Sequence, residues 1–210
     1  MLDLEKRTGE QKKTAESATK DPKLLSELLD GLRSKKCPDR YKNFKAVYII
    51  SEDNPQVLYE KWDLFEKMLT SSNNTYKFYA IHVLANLAKV DQKGKFERIV
   101  NDFYCILNGD ALIPACHVAY VSGKIANAKP ELADEITKRL LHIEKASYKH
   151  KELVQANALK AFSEFLNKIN DKDRVINLAR TLQADKSPRA RKEAKEFLKR
   201  LESLTHYQLK

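Results

Sequence analysis

The sequence predicts an all-α chain made of about five repeated helix pairs, and three observations carry that prediction. A small residue recurs inside an apolar helical stripe at Ala46, Ala80, Ala119, Ala158 and Ala190, at steps of roughly 32 to 39 residues. Units that return at such a period bury their faces by stacking on one another. Glycine and proline are scarce, 5 and 6 in 210 residues, which disfavours a turn-rich β architecture. Between the prolines, apolar residues recur at spacings of three and four, the period of a helix face.

Each pair can be read in order. The first helices carry Leu24, Leu25, Leu28, Leu29 and Leu32; then Val57, Leu58, Trp62, Phe65, Met68 and Leu69; then Phe96, Ile99, Val100, Phe103 and Leu107. The last two carry Leu132, Ile136, Leu140 and Ile143, and Val175, Ile176, Ala179 and Leu182. The second helices carry Phe44, Val47 and Ile50; then Ala80, Ile81, Leu84, Leu87 and Ala88; then Val118, Ala119, Val121 and Ile125. Ala158, Leu159, Ala161, Phe162, Phe165 and Leu166 mark the fourth, and Ala190, Ala194, Phe197, Leu198 and Leu201 the fifth. Stripes this wide imply burial against more than one neighbour.

Helix starts are signalled by a capping side chain directly before a proline, at Asp21-Pro22, Asn54-Pro55 and Ser187-Pro188. Proline fits the first helical position because the amide it lacks would have had no partner there. Lys129-Pro130 and Cys37-Pro38-Asp39 are weaker versions, and Pro114 is expected about one turn into a helix capped by Asp110. Ten helices in five hairpins follow, with polar links such as residues 71–75 between partners. Residues 1–20 are polar and lysine-rich and are expected to form a frayed or loosely helical extension outside the core. The expected organisation is an extension over 1–20, a single repeat domain over 21–204 and a short tail over 205–210.

The formal charge is +10 and the isoelectric point about 9.3. Residues 171–210 contribute +5 of it and residues 1–20 only +1, so an electrostatic contact should centre on the C-terminal fifth of the chain. No run approaches the roughly 20 apolar residues of a membrane span. The first residues lack the apolar core of a signal peptide. Cys37, Cys105 and Cys116 are odd in number and share no CxxC spacing, which suits a reducing, intracellular (cytoplasmic) setting.

Repeat length, small residues in the second helix and proline near first-helix starts resemble the HEAT and armadillo repeat families over about residues 21–204. The resemblance implies a right-handed α-α superhelix (solenoid) of about five HEAT-like helix pairs. It also implies that second helices line a concave, ligand-bearing face. On that face the period places Lys45, Tyr48 and Glu52; then Tyr79, His82, Asn86 and Lys89; then His117, Tyr120, Lys124 and Asn127. Asn157, Lys160, Glu164 and Asn167 follow, then Arg189, Lys192, Glu196 and Lys199. These are expected to be solvated, with Tyr48, His82, Tyr120, Lys160 and Lys192 at equivalent positions. Exposed tyrosines suit recognition because they join apolar area to a hydrogen bond. The asparagines resemble the ladder that armadillo repeats use on an extended peptide.

The run Lys186–Arg200 is expected to dock through Ala190, Ala194, Phe197, Leu198 and Leu201, and leaves Arg189, Arg191, Lys192, Lys195 and Lys199 as a candidate basic patch. That patch suits an acidic partner or phosphates, or is simply the polar outer side of a terminal repeat.

Catalysis has little to stand on. The five histidines lie in separate repeats, with no HExxH and no metal-ligand spacing, so no metal and no cofactor is expected. Cys116 and His117 are neighbours, and adjacent residues point about 100° apart on a helix. Trp62 and Asp63 hint at the HEAT-like glycosylases of alkylated DNA bases, but on a first helix they lie away from the concave side. The expected function is a non-catalytic, monomeric scaffold for a protein or extended peptide, acidic ones included, with no membrane role. A nucleic-acid-binding module using the basic end is the alternative, and a base-excision enzyme the remote third.

Overall fold

The computed structural model describes residue 4, residues 6–34 and residues 37–208, apart from the side chains of residues 144, 145 and 204–208. The described residues contain α-helices, short 3-10 turns and loops, and no strand. The chain forms two compact units, residues 1–98 and 99–210.

In the first unit, α1 (Gly9–Lys20) packs against both α2 (Pro22–Arg33) and α3 (Arg40–Asp53). The segment expected as a loose extension is thus a packed helix, because Ala15 and Ala18 form a small apolar spot that both become buried. Thr8 starts it with a capping box: its Oγ1 accepts from the Gln11 amide, and Gln11 Oε1 accepts from the Thr8 amide. Asp21 caps α2 by accepting from the amides of Lys23 and Leu24, with Pro22 at the first helical position as the sequence predicts.

The first helix of the second pair is broken. α4 (Pro55–Tyr59) ends at Glu60 and α5 (Trp62–Leu69) begins after Lys61, so Leu58, Trp62 and Phe65 can all be fully buried. Its partner is α6 (Asn74–Leu87), which also packs on α3. Asp91 then ties the pair to the next start. Its carboxylate accepts from the amides of Lys95 and Phe96, at 2.9 and 2.8 Å, and from the Tyr59 hydroxyl at 2.5 Å.

α7 (Lys95–Cys105) begins in the first unit and ends in the second. The second unit continues with α8 (Leu112–Ala128), α9 (Ala133–Leu141), α10 (Lys151–Phe165), α11 (Lys172–Gln183) and α12 (Pro188–Gln208). α8 packs along α10, α10 along α12, and α11 pairs with α12. Ala111, not Asp110, is the residue before α8, so Pro114 falls at its third position, where proline costs no hydrogen bond. Residues 205–208, expected as tail, continue α12; residues 209 and 210 lie outside the described residues. Ser122 is buried, donating to the Val118 carbonyl and accepting from the Tyr104 hydroxyl. Burial pushes that phenol far above its ordinary pKa.

Candidate binding face

The residues expected at equivalent positions of successive second helices are neighbours in space. Tyr48 and His82 meet edge to face with ring centroids 5.9 Å apart. Lys160 Nζ lies 4.9 Å from the centroid of the Tyr120 ring. Arg189 donates to Asn157 Oδ1 at 2.7 Å. The register read from the repeat therefore holds within each unit, but its consequence differs between them.

In the first unit the expected face is not solvated. Every residue of α3 from Phe44 to Ser51 is buried, as is every residue of α6 from Phe78 to Leu87. Lys45, Tyr48, Tyr79, His82 and Asn86, expected as an open stripe, lie at 5% exposure or below. Two causes act together. α3 and α6 lie side by side, so the stripe residues touch across the repeat: Phe44 stacks on Tyr79 at 4.2 Å, and Phe78 meets His82 at 4.9 Å. Asn86 donates to Ser51 Oγ at 2.9 Å, and Ser51 in turn donates to the Tyr48 carbonyl. A helical period marks which residues share a side; it does not separate the side touching the next repeat from the side facing water.

The second cause is a segment that composition alone did not single out. Leu4 is buried. The Lys6 carbonyl accepts from Lys45 Nζ at 2.7 Å. Arg7 forks onto two acids at the end of α3, giving one nitrogen to Glu52 and the other to Asp53, each at 2.7 Å. The Tyr48 hydroxyl donates to the second oxygen of Glu52, and Lys89 donates to the Glu52 carbonyl. Positive charge thus gathers at the C-terminal end of α3, where the helix dipole favours it.

In the second unit the same rows are more open. Tyr120, Lys124 and Lys160 are half-buried, and Asn127, Glu164, Lys192 and Lys199 are exposed. Lys168 is a contributor outside the expected stripe: its Nζ donates to Asn127 Oδ1 at 2.7 Å, while Asn127 Nδ2 donates to the Glu164 carbonyl. The Glu164 carboxyl rests against Gly123, where a Cβ would come within 2.3 Å of Oε2. That shielding pushes its pKa up, opposed by Lys124, Lys160 and Arg200. The result is a polar surface with several cations around one carboxylate.

His117 and Asn157, expected on this face, are buried. Asn157 donates to the Cys116 carbonyl at 3.2 Å, so it joins neighbouring repeats instead of facing a ligand. Burial drives His117 down to about 4 and the half-buried Cys116 thiol up, so at neutral pH the imidazole is uncharged and the thiol protonated. An imidazole so weakly basic and a thiol so weakly acidic make a poor base and nucleophile. Trp62 has no exposed surface, so it has no face on which a base could stack, and Asp63 pairs with Lys95 at 3.7 Å. Among the described residues no three His, Cys, Asp or Glu side chains are placed to hold a metal ion. Likewise, no helix there is long and apolar enough to cross a membrane.

The basic patch is smaller than its sequence. Of the expected docking face Ala190, Ala194 and Phe197 are buried, while Leu198 and Leu201 are only half-buried. Arg191, expected in water, is half-buried, with its guanidinium on the carbonyls of Asp185 and Lys186 at 2.8 and 2.9 Å, closing the turn before α12. Arg189 is held by Asn157, and Lys192 pairs loosely with Glu196 at 3.8 Å. Lys195 and Lys199 are exposed.

No protein-family model matches the chain, and no curated protein matches it. Solved structures do. Two engineered proteins of the Northeast Structural Genomics Consortium each superpose with a TM-score of 0.53. One is 17% identical over 96% of this chain and 92% of its own, the other 15% identical over 97% and 100%. A designed armadillo repeat protein matches with a TM-score of 0.47 at 15% identity, over 94% of this chain and 96% of its own. At such identities the likeness to the two engineered proteins is one of fold alone, and the fold is the all-α arrangement of stacked helices described above.

Proposed function

We propose that the protein is a non-catalytic binding scaffold that takes an extended peptide or protein segment on its second-helix face. The observation that carries this reading is the α8–α10 surface, where Lys160 sits over Tyr120 beside Lys124, Asn127 and Lys168. An aromatic face, cations and side-chain amides on rigid helices can supply apolar contact, charge and main-chain hydrogen bonds together. The cations suit a partner bearing carboxylates. The weakened basicity of His117 and acidity of Cys116 argue against nucleophilic chemistry at this face.

Exposed lysines on α12 favour a second reading, nucleic-acid binding, and salt separates the two. A labelled DNA duplex titrated from low to physiological salt should bind with Kd no tighter than about 10⁻⁶ M, as non-specific complexes do. Replacing Lys192, Lys195 and Lys199 by Gln should then change little. Tight duplex binding whose log–log salt slope falls by about 0.9 for each lysine removed would overturn the scaffold reading.

A further inference from the structure

Leu4 and residues Lys6–Thr8 are seated on the first unit as a peptide ligand would be. Their anchors are of three kinds: a buried leucine, a main-chain carbonyl held by a lysine, and an arginine forked onto two carboxylates. Leu4, Lys6 and Arg7 lie outside any helix, and Thr8 is extended with φ −77° and ψ 157°. The receiving residues Lys45 and Glu52 lie two turns apart on one face of α3, with Asp53 next to Glu52 at its end. Lys45 and Glu52 belong to the expected binding stripe, and Asp53 lies beside it.

We infer that the end of α3 is a recognition site for extended peptides carrying a leucine three residues before an arginine, and that the chain's own Leu4, Lys6 and Arg7 occupy it as an internal pseudo-ligand. This rests on the scaffold reading and adds to it a ligand chemistry and a means of regulation. The arginine is the specificity element. A planar guanidinium satisfies Glu52 and Asp53 at once, which the single ammonium of a lysine does less well. Being tethered directly to α1, the segment has an effective concentration in the millimolar range. A free peptide of the same sequence competes poorly until that segment is loosened.

The test uses the full chain and a fluorescent Leu-Glu-Lys-Arg-Thr peptide, the sequence of residues 4–8. In Leu4→Ala/Arg7→Ala protein the internal segment loses two anchors, and the peptide should bind at least tenfold more tightly than it binds wild type. Adding Glu52→Gln and Asp53→Asn should abolish that gain, as should replacing the peptide's arginine by alanine. Equal binding to wild type and variant, or a gain that survives loss of both acids, overturns the inference. So does collapse of helical circular dichroism in Leu4→Ala/Arg7→Ala, with the single Arg7→Ala as the folded check: a segment the fold cannot lose is structure, not a pseudo-ligand. If other peptides bind through Tyr120 and Lys160 while this one binds nowhere, the scaffold reading stands and this inference falls.

Discussion

Lys160 holds its ammonium 4.9 Å from the centre of the Tyr120 ring, joining second helices of adjacent repeats by a contact that leaves both side chains partly in water. The equivalent contact in the first unit, Tyr48 against His82, is sealed from solvent at 5% and 2% exposure. One repeat position therefore serves display in one unit and core in the other.

That difference predicts unequal stability costs. Tyr120→Ala should lower unfolding free energy by about 1 kcal/mol, the scale of a partly exposed cation–π contact. Tyr48→Ala removes a buried ring packed on Phe44 and His82 and should cost about 3 kcal/mol. Tyr48→Phe keeps the ring, gives up only the bond to Glu52, and should cost about 1 kcal/mol. Denaturant melts of the three variants check the order; a Tyr48→Ala cost below that of Tyr120→Ala would reverse the assignment.

His117 predicts an acid limb in stability. Burial, with Arg189 nearby, holds its folded pKa at about 4, against an ordinary value of 6.5 in the unfolded chain. Below pH 6.5 the unfolded state therefore binds the extra proton, and stability falls as pH drops from 6.5 toward 4, by up to about 3 kcal/mol. Above pH 6.5 the group contributes no slope. His117→Asn should flatten this part of the curve in melts run across the range; an unchanged slope would place the acid sensitivity elsewhere.

Gly123 lies inside α8, where alanine would ordinarily gain about 0.5–1 kcal/mol. Here a Cβ would stand 2.9 Å from the Glu164 Cβ and closer still to its carboxylate, so α8 and α10 must separate to admit it. Gly123→Ala is expected to destabilise by about 1–3 kcal/mol. A stabilised variant would show that the two helices are not so tightly apposed.

The helix pairs were legible because their signals are local: Asp21-Pro22 and Ser187-Pro188 start helices where predicted, and Ala80, Ala119, Ala158 and Ala190 are all completely buried. The rows were legible too, since period alone brings Tyr48 to His82 and Lys160 to Tyr120. What period does not encode is which row the next repeat covers, and that decided the fate of Lys45, Tyr79 and Asn86. Nor does it encode non-local cover. Arg7 reads as one more cation in a polar stretch, and only the fold sets it against Glu52 and Asp53, 45 and 46 residues away. Arg191 illustrates the same limit: a charge run shows where cations cluster, not which of them close a turn.

The α8–α10 surface is proposed to bind extended peptide. Selection of wild-type protein against a displayed library of random peptides, followed by affinity measurement on Tyr120→Ala/Lys160→Ala, tests it most directly. The expected result is a family of peptides whose binding falls at least tenfold in the double variant while its melting midpoint stays near wild type. Failure to select any peptide, or selected peptides that bind the folded double variant as well as wild type, would contradict the claim.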